Sequence, residues 1–175
     1  MDVASLGAWS WTKEVETAQS ETCRRLLAHC HAQICGNWPM PKEILDPVLI
    51  PRDLLPWLCI MDVEPDGEFR FRLFGTGLVS GYGRELTGKR LRDTVTGEPI
   101  ERVHEIFSTA VARRTPLVTL TSFGTPGGPI SYERAIIPLS SRTGIISWLL
   151  VVLHLLETPG AGNILELVSK PGPSR

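Results

Sequence analysis

The sequence predicts an α+β fold: a five-stranded antiparallel sheet with short helices on one face and a long N-terminal helix covering the other. Three observations carry that expectation. The elements run helix, two strands, a helical excursion over 76–116, then three strands, which is segregation rather than β/α alternation. Connections within each strand group are short and rich in turn residues, Pro65-Asp66-Gly67 in the first and Gly124-Thr125-Pro126-Gly127-Gly128 in the second. The last strand is apolar on both sides. Ile145, Leu149, Val151, Leu153 and Leu155 point one way and Ile146, Trp148, Leu150, Val152 and Leu156 the other, so both faces of the sheet need a cover.

Each element has its own signal. Thr12 is suited to cap a helix, with Glu14 and Glu16 at its positive end. Cys23, Leu26, Leu27, Cys30 and Ile34 then follow one helical stripe, and Gly36 is placed to end it. A helix of about two dozen residues, roughly 35 Å long, would overhang so small a domain or pair with a second copy. Prolines at 39, 41, 47, 51 and 56 limit the connector over 38–56 to short turns.

Strands are expected at 57–63 and 69–74, joined as a hairpin, with Phe69, Phe71 and Leu73 on the buried face and Arg70 and Arg72 on the polar one. The clearest helix of the excursion is 99–113, where Ile100, Val103, Phe107, Ala110 and Val111 share a face and Pro99 suits the first turn. Strands follow at 117–123, 130–139 and 144–156. The second and third strands keep polar positions on one side, as edge strands do. The chain divides into an amphipathic helix (1–36), a sheet domain (37–157) and a mobile Gly/Pro/Ser-rich tail (158–175).

Composition narrows the function. At 175 residues the chain is one domain with enough length to bury a core. A hydrophobic fraction of 42% against 21% charged excludes wholesale disorder. Eighteen Lys and Arg nearly cancel nineteen Asp and Glu, so a net charge of −1 offers no general field for nucleic acid or an anionic membrane. The start, Met1 to Thr12, lacks a secretory signal, and the apolar run over 145–156 is too short to span a bilayer. A cytoplasmic location with free thiols is expected. Cys23, Cys30 and Cys35 with His29 and His31 do not collect on one helical face, so no metal site is expected.

Several motifs invite chemistry and have plainer readings. Gly75-Thr76-Gly77-Leu78-Val79-Ser80-Gly81 nearly spells a dinucleotide fingerprint, but it lacks the βαβ unit, and Thr76 capping the next helix accounts for it. Arg84, Lys89, Arg90 and Arg92 form a solvated basic rim or, less favourably, an anion site. His104 sits at a helix edge and His154 in an apolar strand. Tyr132 and Arg134 should share one strand face and Glu133 the other; a contact between Arg72 and Glu133 is not expected, since the topology separates their strands. A buried Arg134 would receive a carboxylate, from an acid on the helices or from a ligand. A small enzyme using Asp62, Glu133 or His154 as a buried acid or base is the minor alternative; no catalytic motif supports it, and no catalytic residue is assigned.

Phe71-Arg72-Leu73-Phe74-Gly75-Thr76 ends the second strand with R-x-x-G-T, and Thr87-Gly88-Lys89 follows. With Tyr132-Glu133-Arg134 and the Gly144 turn before an apolar last strand, the chain from Trp38 to Glu157 resembles the PAS-domain family. It is similar to a largely proteobacterial group of stand-alone PAS-like proteins whose function is uncharacterised. Its motif residues are Arg72, Gly75, Thr76, Thr87 and Gly88. The resemblance implies a sensory, ligand-binding fold without catalytic residues or a specified cofactor. Strand parity then nominates a pocket from Phe71, Leu73, Tyr82, Phe107 and Thr119, together with Thr121, Tyr132, Arg134 and Trp148. The expected working form is a homodimer that signals through its N-terminal helix to a separate protein. A ligand-free interaction module is the alternative.

Overall fold

The computed structural model describes residues 10–34, 37–94, 99–125 and 128–157. In chain order these form β1 (Ser10–Glu14), α1 (Glu21–Gln33), β2 (Met40–Pro41), β3 (Leu58–Val63), β4 (Phe69–Phe74), α2 (Thr76–Tyr82), α3 (Ile100–Arg113), β5 (Leu117–Thr125), β6 (Gly128–Ser140) and β7 (Ile146–Glu157). Short 3₁₀ turns intervene at Lys42–Ile44, Leu55–Trp57 and Leu91–Asp93. Among the described residues no helix is long and apolar enough to cross a membrane.

The strands form one sheet in the order β1-β5-β6-β7-β3-β4. All of those pairings are antiparallel. The five expected strands are present as β3 to β7, and two more join them. β1 pairs with β5 over five residue pairs, from Ser10 opposite Phe123 to Glu14 opposite Thr119. β5 begins at Leu117 opposite Ile136, and two-residue β2 takes the place beside Leu139 and Ser140 in parallel register. Hence β5 is not an edge strand, although β4 is.

The sheet separates two apolar layers. On one side α2, α3 and the loop between them bury Met61, Phe69, Phe71, Ile136, Leu149 and Val151. On the other, α1 and the proline-rich connector cover Leu58, Val118, Ala135, Ile137, Leu150 and Val152. The two-sided apolar pattern of the last strand reflects this double cover.

The N-terminal helix differs from expectation. It has 13 residues, and the segment before it is strand. Ser20, rather than Thr12, is its N-cap and accepts a hydrogen bond from the Cys23 amide (3.2 Å). Thr12 instead meets Thr121 across β1 and β5, hydroxyl to hydroxyl at 3.0 Å. Acidic residues suit a helix start, but the backbone of β5 offers β1 a full ladder, and pairing prevails. The stripe of Cys23, Leu26 and Cys30 is buried on the protein's own sheet, so α1 lies in cis. Burying a leucine such as Leu26 contributes about 1.5–3 kcal/mol. The expected cap at Gly36, Cys35, and the tail at 158–175 lie outside the described residues.

Three bulges alter strand parity. Ile60 pairs with Leu73 but Met61 pairs with Phe71, which leaves Arg72 as the extra residue. Phe74 therefore joins the inner aromatic layer and Leu73 turns outward, 43% exposed. Similar shifts between Leu139 and Ser140, and between Ser131 and Tyr132, detach Ile146 from the face of Trp148 and leave Leu156 half exposed.

Candidate functional site

A cavity of about 100 Å³ lies between the sheet and the helical excursion. Its floor is Cys59 of β3, Phe71 and Phe74 of β4, Tyr132 and Arg134 of β6, and Val151, Leu153 and Leu155 of β7. Gly77, Leu78, Gly81 and Tyr82 of α2, Leu86, Leu91, and Val103 and Phe107 of α3 close it, with Trp57 at one end. The aromatic rings order one another: Phe71 meets Phe74 edge-on (5.4 Å) and Phe74 meets Tyr82 likewise (6.1 Å).

Arg134 reaches this wall because β6 alternates. Only 3% exposed, its guanidinium lies 5.5 Å from the Phe107 ring centroid and 5.7 Å from that of Tyr132. Tyr82 is 7% exposed, and its hydroxyl has no hydrogen-bond partner among the described residues. Burial pushes its phenol pKa up while the Arg84 charge opposes weakly, so the group stays neutral. The Cys59 thiol, also pushed up by burial, donates to the Met61 sulfur at 3.2 Å.

Five nominated pocket residues meet here: Phe71, Tyr82, Phe107, Tyr132 and Arg134. Four do not. Leu73 is turned out by the Arg72 bulge. Thr119 and Thr121 lie one strand beyond, buried opposite Arg134 and Tyr132 in the β5–β6 register and beside β1. Trp148 lies on the α1 side, where the Lys42 ammonium stands 3.8 Å above its ring. Parity missed Phe74, which only the bulge brings inward, and Cys59, Leu153 and Leu155, which parity could have supplied.

The opposite face of β6 carries a second arrangement. Glu133 is fully buried, and its two oxygens accept hydrogen bonds from the backbone amides of Gln19 and Ser20, each 2.7 Å, at the start of α1. Burial tends to raise its pKa, but hydrogen bonds from the Ser20 side chain and from the Gln19 and Ser20 amides prevail and hold it below the ordinary value. His154, paired with Glu133 in the β6–β7 register, meets the Thr22 hydroxyl through Nδ1 at 3.0 Å. Asp62 accepts from Arg72 at 3.0 Å. None of these three acid–base candidates lines the cavity.

The remaining polar motifs have structural partners. Arg90 bridges Glu64 (2.6 Å) and Asp66 (3.1 Å), and Arg92 meets the buried Glu68 (3.0 Å). Acids of the β3–β4 hairpin thus neutralise much of the basic rim. His104 donates through Nε2 to the Gly67 carbonyl (3.0 Å), tying α3 to the hairpin turn. Cys23 and Cys30 are buried against the sheet, His29 is half-buried beside Gln33 and His31 is exposed, so these side chains diverge.

A family model described as PAS domain matches residues 19–153. This chain belongs to the PAS domain family. The match begins just before α1 and takes in that helix, β2 to β6 and most of β7, with β1 outside it. Among solved structures it is similar to the light-state LOV domain of the blue-light photoreceptor Aureochrome1, 15% identical with a TM-score of 0.45 over 59% of this chain and 83% of that one. It is also similar to an RNA-binding light-oxygen-voltage receptor (16%, TM-score 0.48, 85% of this chain and 39% of that one). A PAS domain from Colwellia psychrerythraea gives 12% and a TM-score of 0.43 over 59% and 92%. No curated protein sequence matches the chain. The family assignment rests on the sequence match.

The motif residues of this PAS domain converge on the β4 edge. Gly75 is the N-cap of α2, and a Cβ there would lie 2.3 Å from the Pro56 carbonyl oxygen, so only glycine lets the turn approach. Thr76 is the first helical residue and makes no cap bond, contrary to expectation. The Thr87 hydroxyl donates to Glu85 (2.7 Å). Gly88, at φ +84°, donates to the Phe71 carbonyl (2.6 Å), and the Phe71 amide donates to Lys89 (2.9 Å). The Thr87-Gly88-Lys89 segment thereby covers part of an otherwise open strand edge.

Proposed function

We propose that this PAS domain is a sensory module that takes a small molecule into the cavity beneath α2 and α3 and passes its occupancy through β6 to α1. One observation carries the reading. Arg134 at the cavity wall and Glu133 at the start of α1 are consecutive residues of a single strand. A displacement of β6 large enough to re-seat Arg134 also moves the acceptor of two α1 amides. A ligand shifts such an equilibrium only if it binds the two arrangements with different affinity. The chain acts by binding rather than by catalysis in this reading, and a separate protein receives the output.

A homodimer remains part of the proposal, with its contact revised. Because the apolar stripe of α1 is buried in cis, two copies would meet through surfaces such as exposed Val48 and Leu49. The same exposed residues favour the second reading, an interaction module whose cavity stays empty.

Native mass spectrometry of protein purified from its host, coupled to hydrogen exchange with and without the bound species, tests the first reading. A reproducible added mass together with altered exchange in 19–33 supports it. An added mass with unchanged exchange there removes the signalling route, and no added mass favours the interaction module.

A further inference from the structure

We infer that Gly81 sets the size of the ligand the cavity takes. The bare backbone at this position leaves room over Leu155 for a compact apolar molecule, up to a single ring, and a side chain at 81 would fill that room. The inference rests on the reading of this cavity as a ligand site and adds a specificity-determining residue and a class of ligand.

The glycines in and around α2 do not share one explanation. At Gly75 and Gly77 a Cβ would stand 2.3 and 3.0 Å from the Pro56 carbonyl oxygen, so the close approach of backbone requires glycine. Gly83 ends the helix in the left-handed region at φ +87°. Gly81 has neither reason. Its backbone is helical, and among the described residues a Cβ there would meet only Leu155 Cδ1, at 4.0 Å. Glycine is the least favourable residue after proline within a helix. The sequence therefore keeps a residue that weakens α2 where the backbone does not ask for it, and such a break with local preference is characteristic of functional positions.

What the missing side chain leaves open is the cavity itself. Gly81 and Leu155 both line it, so a Cβ at 81 would lie on the cavity side of α2, facing β7. Both residues are half-buried and Trp57 is exposed, whereas Cys59, Phe71, Val103 and Phe107 are buried deeper in the wall. Gly81 thus stands at the outer end of the cavity. The lining contributed by Leu78 of α2 and by Leu153 and Leu155 of β7 is aliphatic, and an apolar body seated against it leaves water.

Size fixes the class. A cavity of about 150 Å³ lined by aliphatic and aromatic side chains holds benzene or xenon, and this one measures about 100 Å³. The ligand is therefore a branched aliphatic group of a few carbons or at most one ring. The isopropyl group of a valine at 81 would take up a large part of that space.

The test is titration of the full chain with xenon, benzene and indole, followed by methyl and aromatic NMR. Xenon and benzene are expected to bind the parent and to perturb Leu78, Val103 and Leu155, and indole to bind more weakly than benzene. Gly81→Val should weaken benzene binding about tenfold or more, and Gly81→Ala should weaken it less. Gly81→Ala should melt no lower than the parent, which shows that the loss of binding is not a loss of folding. Leu155→Ala enlarges the facing wall, so it should restore benzene binding to Gly81→Val and admit indole to the parent.

Equal benzene affinity in the parent, Gly81→Ala and Gly81→Val overturns the role of Gly81 and leaves the ligand-site reading standing. Indole bound by the parent as tightly as benzene overturns the limit on size. Failure of xenon and benzene to bind either the parent or Leu155→Ala overturns the inference together with the ligand-site reading.

Discussion

Glu133 and Arg134 are consecutive on β6, and the pleat sends the first to the start of α1 and the second to the cavity wall on the other side of the sheet. Glu133 ends in two backbone amides that a helix start would otherwise leave unsatisfied. The carboxylate also opposes the partial positive charge of the helix N-terminus. One strand therefore carries both the floor of the cavity and the anchor of the outer helix.

The anchor predicts a specific pattern of stability loss. Glu133→Gln retains one acceptor but turns an amide donor toward a backbone N–H, and should cost about 2–3 kcal/mol. Ser20→Ala removes the hydroxyl that caps Cys23 and should cost about 1 kcal/mol. Because both act on the same first turn, the double variant should lose less than the sum. Urea denaturation of the four proteins measures this, and strict additivity would show that the two groups act independently.

The same carboxylate predicts a dependence on acid. Its pKa in the folded protein lies below the ordinary value of 4.5. A group depressed on folding contributes its full stabilisation above the unfolded pKa and loses it as pH falls through the folded one. This contribution should thus be constant from pH 7 to about 5 and fade below about 4.5. Denaturation midpoints of the parent and of Glu133→Gln should converge as the pH drops from 5 to 3. A gap that stays constant over that range would contradict the assignment.

Much of this architecture is written locally. The alternation of Phe69 and Phe71 with Arg70, the stripe of Val103, Phe107 and Ala110, and the two-sided apolar β7 each fix an element from its own residues, and β6 parity alone puts Arg134 opposite Glu133. What escapes is what depends on distant partners. Ser10–Glu14 has no apolar alternation, and it is a strand because β5 offers it a ladder more than a hundred residues later. Ser20 becomes the start of α1 in the company of Glu133, another distant residue. The bulge at Arg72 is equally invisible in composition, since strand pairing decides where an extra residue is absorbed. It alone replaces Leu73 by Phe74 at the cavity.

The glycines of the turn into α2 should separate by what surrounds them. A Cβ at Gly75 would stand 2.3 Å from the Pro56 oxygen and 2.8 Å from the Leu58 oxygen, both backbone atoms that cannot swing away. Gly75→Ala should therefore cost about 3 kcal/mol or more. At Gly77 the nearest atoms are at 3.0 and 3.1 Å, and the loss should be smaller. At Gly81 the first neighbour is the flexible end of Leu155 at 4.0 Å, so Gly81→Ala should stabilise α2 by up to about 1 kcal/mol. Thermal unfolding of the three variants should rank them in that order. A Gly75→Ala protein as stable as the parent would refute the close approach at Pro56.

The buried thiols give a prediction about reactivity. Burial raises the pKa of Cys23 and of Cys30 to about 12, and that of Cys59 upward as well. The carboxylate of Glu133 adds to the effect at Cys23, where the Ser20 hydrogen bond works against it. The thiolate is the reactive species, so at pH 8 these three side chains are protonated as well as shielded. In a Cys35→Ser variant, which leaves only these three, a disulfide reagent should react no faster than the protein opens, and in urea all three should titrate at once. The three rates need not agree in the native state. Cys23 and Cys30 lie under α1 and Cys59 at the cavity floor, so opening either layer exposes a different set. A ligand in the cavity should slow Cys59 and, if β6 couples the two faces, change the rate at Cys23 and Cys30 too. Protection confined to Cys59 would leave the cavity occupied and the coupling to α1 disproved.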